Sequence, residues 1–406
     1  MKFLERLKSE YIMLAIWFLS SVPSFAQIRW WGIYDFQILK GGADSREDLN
    51  SLPNDYLQLN VHEFQLFLEA DVDDNITFTT SIANSPQDSP NFKGVSFQLA
   101  YATFSNLAGD ALSLSVGKIV TPFGLFAKRQ LATENPFIGY PLFFVYPQNV
   151  SPQTGYLDSS EVSAANTQYG GRLNTMYTGG YYIGAEAFGS FIDNFLQYDV
   201  ALTNAPLSST SSDYNFNDNP SIQGRVALHP AIWGTFGISY ASGPFMTPSS
   251  ANQYLSLDRY TQTTLGADAE LSYLYYELDA EYIFNRFKSP YISYQYANGL
   301  PQGGWLNLDS RELLLDLRID AGFYPGLFLA FRYNPLWFSN ITDPYQYSTT
   351  YGKSIPWDSN TTRYAVGVGY KPTHSVLVKL DYQRTDISVN PRPKLDILGL
   401  AVVISF

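Results

Sequence analysis

The sequence has no cysteine, three histidines and few charged residues. Lys, Arg, Asp and Glu together make up 15% of its 406 residues, whereas about 25% is usual in soluble proteins. The absence of cysteine excludes a fold that depends on disulfides. A formal net charge of −12 makes nucleic acid a poor partner, because binding to phosphates requires clustered Lys and Arg.

Long apolar runs are also missing from the sequence. The most apolar window in the middle of the chain, Ile138 to Tyr146, is short and contains Pro141. A membrane-spanning helix needs about 20 apolar residues, so no stretch after residue 26 fits one. If the chain resides in a membrane, it must therefore do so as a β-barrel.

The start of the chain has the pattern of a secretory signal peptide. A basic start is followed by an apolar run at residues 11–19, and the small residues Ser24 and Ala26 precede the expected cleavage site. The apolar run is too short to span a membrane. The sequence therefore predicts a signal peptide at residues 1–26 and a mature chain at residues 27–406.

Alternation of apolar and polar residues dominates the rest of the sequence. With 31 Tyr, 29 Gly and 23 Pro, the composition favours strands and turns. Val376, Val378 and Leu380, for example, alternate with Lys379 and Asp381. This two-residue period indicates strands with one apolar and one polar face, which occur in membrane barrels and in soluble sandwiches. We expect an all-β protein.

The lengths of the connections favour a transmembrane antiparallel β-barrel over a sandwich. Short turns alternate with long polar loops along the chain, as the short periplasmic turns and long outer loops of outer-membrane barrels do. An additional strand at residues 167–176 would belong to an alternative with eighteen strands. Aromatic residues near strand ends, such as Trp30 and Trp337, match the girdles at the membrane interfaces. The sixteen predicted strands are 28–39, 57–71, 75–83, 95–104, 111–119, 180–190, 195–204, 221–228, 234–242, 260–271, 275–285, 311–321, 327–335, 361–370, 375–384 and 395–406.

The last predicted strand has a distinctive apolar face. Leu400, Val402, Ile404 and Phe406 occupy alternate positions on it. A final strand of this kind resembles the signature of bacterial outer-membrane barrels, in which the insertion machinery reads the last strand. The resemblance implies that these four residues form the insertion signal, and that the barrel crosses outer-membrane lipid many times.

A second resemblance lies in the segment Gly117 to Phe126, which reads GKIVTPFGLF. It is similar to the strand end followed by Pro-Phe-Gly in porins of the phosphate-selective O/P type and their relatives. Phosphate selectivity does not follow, because those channels carry ladders of Arg and Lys, whereas this chain is acidic. The porins it resembles are often homotrimers, so the resemblance implies a homotrimer.

The longest connection, residues 120–167, begins with an apolar and aromatic half. A free outer loop would be more polar, so we expect this segment to fold into the barrel and narrow the pore. The alternative is a cap packed on the outer rim or against a neighbouring subunit. The candidates for the constriction are Lys118, Lys128, Arg129 and Glu134.

Carboxylates gather on one predicted hairpin. A turn centred on Tyr273–Leu274 would place Glu270 opposite Glu277 and Asp268 opposite Asp279. Like charges directly opposite each other destabilise a sheet, and carboxylates facing lipid are costly, so these side chains should face water. Carboxylate rings favour cations in a pore, and the alternative is a solvated wall balanced by Arg on neighbouring strands. The predicted acidic wall consists of Asp268, Glu270, Glu277, Asp279 and Glu281.

Catalysis is not expected from the sequence. The three histidines are His62, His229 and His374, and adjacent His62 and Glu63 should point to opposite faces of a strand. The sequence contains no G-x-S-x-G motif, no phosphate-binding loop and no histidine cluster with metal-ligand spacing.

The sequence therefore predicts a porin through which small hydrophilic solutes or ions diffuse passively, without a cofactor. Sixteen to eighteen strands leave a water-filled lumen in such a barrel. The alternative is a non-conducting barrel that acts as a structural or adhesive surface protein. A measurement of conductance distinguishes the two.

Overall fold

A computed structural model describes residues 27–42, 56–84, 96–157, 173–178, 180–209, 219–249, 255–291, 304–344, 350–388 and 395–406. Sixteen strands in these residues form one closed antiparallel barrel. They are β1 (Ile28–Gly41), β2 (Leu57–Asp73), β3 (Ile76–Asn84), β4 (Ser96–Phe104), β5 (Ser113–Val120), β6 (Tyr181–Phe191), β7 (Leu196–Thr203), β8 (Ser221–Ala231), β9 (Gly234–Pro244), β10 (Thr261–Tyr273), β11 (Tyr276–Pro290), β12 (Trp305–Asp320), β13 (Leu327–Phe338), β14 (Thr361–Thr373), β15 (Val376–Ile387) and β16 (Leu395–Ser405). Each strand pairs with its neighbour in sequence, and β16 pairs with β1 to close the barrel.

The predicted all-β barrel with sixteen strands is confirmed, in the predicted order. The alternative with eighteen strands is not formed by the described residues. Residues 173–178 are loop, and the rest of the extra strand considered at 167–176 lies outside the described residues. Several strands are longer than expected. The largest differences are in β11, which continues to Pro290, and in β12, which begins at Trp305.

Strand alternation places apolar side chains outside and polar side chains inside. On β15, Lys379 and Asp381 are buried in the interior, whereas Leu380 between them is exposed on the outside. On β16, Leu398 faces outward and Ala401 faces inward. This arrangement suits a barrel whose outer face lies against hydrocarbon.

Short turns lie at one end of the barrel and long connections at the other. Leu274 and Tyr275 form the turn between β10 and β11, with Leu274 at φ 55°. Aromatic side chains surround this turn end. Those exposed there include Phe191, Trp233, Tyr273, Tyr275, Tyr276, Phe323 and Tyr324.

The few other elements lie in connections between barrel strands. No helix in the described ranges is long and apolar enough to cross a membrane. The short elements are the helix Leu142–Val145, the 3₁₀ turns Phe126–Arg129 and Leu257–Arg259, and the strands Leu107–Asp110, Val150–Ser151, Gly155–Tyr156, Asn340–Thr342 and Ser354–Pro356.

The largest apolar core lies inside the barrel. It is formed by the inner loop, defined here as residues 121–157 and 173–178 of the connection between β5 and β6. In this loop the ring of Phe144 lies 5.1 Å from Phe126 and 4.8 Å from Tyr177, measured between centroids. Apolar side chains on the inner face of the wall pack against the same cluster. These wall residues are Ile283, Phe287, Leu308, Leu314 and Leu336.

Candidate pore and its lining

The Pro-Phe-Gly turn directs the chain from the end of β5 into the barrel. Gly124 has φ +64°, and a Cβ at this position would lie 1.8 Å from a carboxylate oxygen of Glu281. The N–H of Gly124 donates to Oγ of Ser239 at 3.0 Å, and the N–H of Phe126 donates to Glu281 at 3.3 Å. Glycine is therefore required here both for its conformation and for its close approach to the wall.

Lys379 on β15 holds the backbone of the inner loop from the barrel wall. Its Nζ donates to the carbonyl oxygens of Ala132, Asn135 and Phe137 at 3.0, 3.2 and 3.1 Å. The side chain is buried, and its charge interacts with the carboxylate of Asp381. A buried ammonium group with three acceptors and an opposite charge is well satisfied.

Two arginines on neighbouring strands also form hydrogen bonds to the backbone of the inner loop. Nη1 of Arg332 donates to the carbonyl oxygen of Gly139 at 2.9 Å, and the same guanidinium forms two hydrogen bonds to Asp316, at 2.7 and 2.6 Å. Nη1 of Arg363 donates to the carbonyl oxygen of Tyr140 at 2.6 Å. These contacts satisfy loop carbonyls that have no partner within a helix or sheet.

Carboxylates of the wall accept hydrogen bonds from the same loop. The N–H of Ile138 donates to Asp381 at 2.8 Å, and the N–H of Phe143 donates to Glu312 at 2.9 Å. Donors and acceptors of the loop backbone thus both have partners on the wall. This pairing fixes the loop inside the barrel rather than over its outer rim.

Asp358, in the connection between β13 and β14, forms another contact with the inner loop. It accepts hydrogen bonds from the hydroxyl of Tyr146 at 2.9 Å and from the N–H of Asn149 at 2.8 Å. Burial raises the pKa of the Asp358 carboxyl to about 7, against the effect of these hydrogen bonds. The protonation of this group therefore changes near neutral pH.

The candidate constriction residues occupy different surroundings. Arg129 forms ion pairs with Glu277 and Asp279 of β11. Lys128 lines an open space inside the barrel. Glu134 lines another, smaller space, which has a volume of about 310 Å³ and lies near His374 at the turn end.

The inward orientation expected for Lys118 is wrong. Lys118 pairs with Ile183 in the sheet, and Ile183 is exposed on the outer face. The inward neighbour is Ile119, which is 1% exposed and packs inside the barrel. Paired residues of a sheet share a face, so Lys118 also points outward.

The acidic hairpin has a different register from the predicted one. Its turn is Leu274–Tyr275, so Asp268 stands opposite Glu281 and Glu270 stands opposite Asp279. All five predicted carboxylates of this hairpin lie on inward-facing positions of β10 and β11. The expected pairing was wrong by two residues, because it centred the turn one residue too early.

Arginines offset much of the charge on the acidic hairpin. Arg225 of β8 pairs with Asp268, with Nε to Oδ2 at 3.0 Å and Nη2 to Oδ1 at 2.5 Å. Arg129 of the inner loop pairs with Glu277 and Asp279. The balanced wall, one of the two sequence-based alternatives, therefore describes these three carboxylates.

The passage, as we call the larger open space, has a volume of about 460 Å³ and lies between the inner loop and strands β2 and β4 to β7. Glu186 on β6 and Asp199 on β7 face it from the wall, and Lys128 faces it from the loop. The charge of Glu186 interacts with both Asp199 and Lys128. Aromatic and aliphatic side chains complete the lining, including Phe67, Leu99, Tyr101, Tyr181 and Phe188.

Sequence reasoning did not identify Glu186 and Asp199 as site residues. Their inward positions on alternating strands were the available signal, since Asp199 alternates with Tyr198 and Val200. What selects them from other inward carboxylates is the course of the inner loop. It covers the opposite wall and leaves this side open.

His62 does not point away from the interior. A bulge in β1–β2 pairing occurs here, with Asp35 opposite Glu63 and Phe36 opposite Val61. The imidazole ring of His62 lies 6.1 Å from the ring of Tyr140 in the inner loop. In the described ranges, no group of three or more His, Cys, Asp or Glu residues is arranged to hold a metal ion.

Phe406 lies at the seam between β1 and β16. Its backbone N–H donates to the carbonyl oxygen of Gly32 at 3.0 Å, and the N–H of Gly32 donates to the carbonyl oxygen of Phe406 at 2.8 Å. The ring covers Gly32, where a Cβ would come within 2.4 Å of it. Trp30 and Phe64 flank the ring, with centroids at 6.4 and 6.5 Å.

The fold is similar to those of solved outer-membrane channels. The anion-selective porin of Comamonas acidovorans aligns with 94% of this chain and 100% of its own, at a TM-score of 0.58 and 10% sequence identity. The channel DcaP of Acinetobacter baumannii aligns with 94% of this chain and 97% of its own, at a TM-score of 0.59 and 11% sequence identity. OmpF of Salmonella typhi aligns with 93% of this chain and 97% of its own, at a TM-score of 0.56 and 10% sequence identity.

Sequence comparison adds no closer relative. The chain matches no protein-family model and no curated protein sequence. At identities of 9 to 11%, the structural likeness establishes the barrel fold.

Proposed function

We propose that this chain is an outer-membrane porin that lets small hydrophilic solutes or ions diffuse through the passage. The observation that carries the proposal is a closed sixteen-stranded barrel with an apolar outer face and an inner space of about 460 Å³ beside the inner loop. Barrels of this size enclose a water-filled lumen. The fold shared with solved outer-membrane channels supports the same function.

Cations are the ions that the passage should favour. Glu186 and Asp199 face it, and Lys128 is the basic residue among those that line it. Arg225, which stands opposite Asp199 in the sheet, is engaged by Asp268. Wall carboxylates therefore dominate the local field, and such groups favour cation entry. In this proposal the inner loop forms one side of the constriction, through Lys128.

The other predicted features form part of the same proposal. Residues 1–26 serve as the signal peptide for export, and Leu400, Val402, Ile404 and Phe406 serve as the signal for the insertion machinery. The outer-membrane protein OmpT of Vibrio cholerae has been solved in a trimer form and shares this fold. We propose a homotrimer for this chain as well, and no catalytic role.

The decisive experiment is single-channel recording of the refolded mature chain, residues 27–406, in planar bilayers. We expect stable conductance steps and a reversal potential on the cation-selective side in a KCl gradient. A folded barrel that gives no steps would favour the structural or adhesive alternative. An anion-selective reversal potential would contradict the role given to Glu186 and Asp199.

A further inference from the structure

Three basic side chains form a patch on the outside of the barrel, close to the end that bears the long connections. Arg286 and Lys288 lie on outward-facing positions of β11, and Arg311 lies on an outward-facing position of β12. Asp309, directly opposite Arg286 in the sheet, is the acidic residue between them. We call these four residues the basic patch. With three bases and one acid, it carries an excess of positive charge.

Aromatic rings hold the basic groups of this patch in place. The guanidinium carbons of Arg286 and Arg311 lie 5.6 and 5.9 Å from the centroid of the same ring, Phe284. Nζ of Lys288 lies 5.0 Å from the centroid of Trp305. Two arginines on one ring repel each other, and Asp309 offsets part of this repulsion through Arg286.

Only part of this charge is neutralised within the patch. Arg286 forms two hydrogen bonds to Asp309, Nε to Oδ1 at 2.7 Å and Nη2 to Oδ2 at 2.8 Å. Arg311 and Lys288 interact with ring faces, which leave N–H donors available for a further partner. A site of this kind suits a phosphate, which a guanidinium can bind through two parallel hydrogen bonds.

The position of the patch identifies the source of the phosphate. Phe284 and Trp305 place it at the aromatic edge of the apolar outer face, on the side of the long connections. If the barrel lies in an outer membrane, as proposed above, this edge meets the outer leaflet. We propose that the basic patch binds the phosphate groups of the glycolipid in that leaflet.

An outward-facing arginine outside the basic patch provides a matched comparison. Arg384 on β15 is 58% exposed and also lies toward the long connections. It pairs with Asp386 at 3.1 Å and also interacts with Asp396. Acidic neighbours thus balance Arg384, whereas Arg311 and Lys288 have rings for neighbours. Phosphate binding is therefore assigned to the basic patch and not to Arg384.

Binding can be measured by native mass spectrometry of the detergent-solubilised barrel titrated with lipid A that carries two phosphates. The test variant is Lys288→Gln with Arg311→Gln, which keeps the Arg286–Asp309 ion pair. We expect its affinity to fall about 25-fold, since each base near a charged membrane surface contributes about fivefold. Arg384→Gln should bind as the unmodified chain does, and lipid A without phosphates should bind weakly to all three.

Several results would overturn this proposal. They are equal binding of phosphorylated and dephosphorylated lipid A, an unchanged affinity in the double variant, or equally tight binding of phosphatidylglycerol. A change of oligomeric state in the double variant without a change in lipid binding would instead assign the patch to a contact between copies. Should the double variant not fold, Arg311→Gln alone should weaken binding about fivefold. Conductance is recorded separately. A barrel that conducts ions but does not bind lipid A would refute this inference and leave the proposed porin function standing.

Discussion

The ammonium group of Lys379 lies 3.2 Å from the carbonyl oxygen of Asn135, and so joins the barrel wall to the inner loop across the interior. Lys379 is buried, and two further loop carbonyls accept hydrogen bonds from it. The charge of this one side chain thus stabilises three carbonyl groups within residues 132–137, a part of the loop that lacks regular secondary structure.

Lys379→Met should loosen the inner loop and destabilise the barrel. Removal of the charge leaves three carbonyls without their donor and Asp381 without its nearby cation, a loss of about 3–5 kcal/mol. The measurements are urea unfolding in detergent and single-channel current noise, which should rise. Lys371→Met, at an exposed position near the turn end, is the control. If the Lys379→Met variant has the same stability and the same current noise as the unmodified chain, this role is contradicted.

Deletion of residues 130–156 should widen the channel. This segment contributes much of the apolar cluster inside the barrel, and its removal would join the passage to the space that it now fills. We expect single-channel conductance to rise at least about twofold, because flow through a pore increases with its cross-section. Unchanged conductance in a folded deletion variant would show that the loop does not narrow the pore.

Glu186→Gln with Asp199→Asn should reduce cation selectivity. Both changes keep the size of the side chain and remove negative charge from the passage. A loss of about 1 kcal/mol in the interaction with a passing cation corresponds to about a fivefold change in the permeability ratio. Reversal potentials in a KCl gradient provide the measurement.

The opposite change in the same passage is the matched control for this prediction. Lys128→Gln removes the base that faces Glu186 from the loop, so cation selectivity should increase. If both variants shift the reversal potential in the same direction, the charges of the passage do not set its selectivity.

Asp358→Asn should change how stability depends on pH. The folded pKa of about 7 is higher than the usual value for Asp, so the folded state binds the proton more tightly than the unfolded state does. The stability that this group contributes is therefore present at low pH and is lost as pH rises from about 4 to about 7, by no more than about 4 kcal/mol. The variant should lose this component.

The pH dependence can be followed by unfolding in detergent at several pH values. Asp110→Asn, at the exposed end of the short strand Leu107–Asp110, changes the same functional group outside the interior and serves as the control. A slope between pH 4 and 7 that is the same in Asp358→Asn as in the unmodified chain would refute the assignment to Asp358.

Phe406→Ala should weaken the seam between β1 and β16 more than Leu398→Ala does. Both side chains are 51% exposed on the outer face, but the ring of Phe406 covers Gly32 and contacts two further rings. We expect a difference of about 1–2 kcal/mol in the free energy of unfolding. The heat-dependent shift in gel mobility of the two variants would report it, and equal shifts would contradict it.

The strand order could be predicted because hydrocarbon outside and water inside impose opposite chemistry on neighbouring residues. The prediction failed where the inner loop brings apolar surface into the barrel. At Lys118 and Ile119 the polar residue faces outward and the apolar residue faces inward, the reverse of the general rule. Ile283 and Leu314 also face inward against the loop. The alternation of apolar and polar residues in the strands does not predict the path of that loop.

The details of the candidate site depended on the same missing information. The register of the acidic hairpin required the turn position, and four aromatic or aliphatic residues, 273–276, fit several turns equally well. Lys128 lies by the passage and Arg129 against the wall, although they are adjacent in sequence. The three-dimensional course of the loop separates them.

The seam that Phe406 covers joins the two barrel strands that are farthest apart in the chain. All other neighbouring strands in the barrel are adjacent in sequence. One edge of β1 pairs with β2, but the N–H and C=O groups of its other edge stay unpaired until β16 is in place. An open row of this kind recruits foreign strands. Pairing of β1 with β16 should therefore be the slowest step of assembly. Until that step, the open sheet must be protected from pairing with other chains.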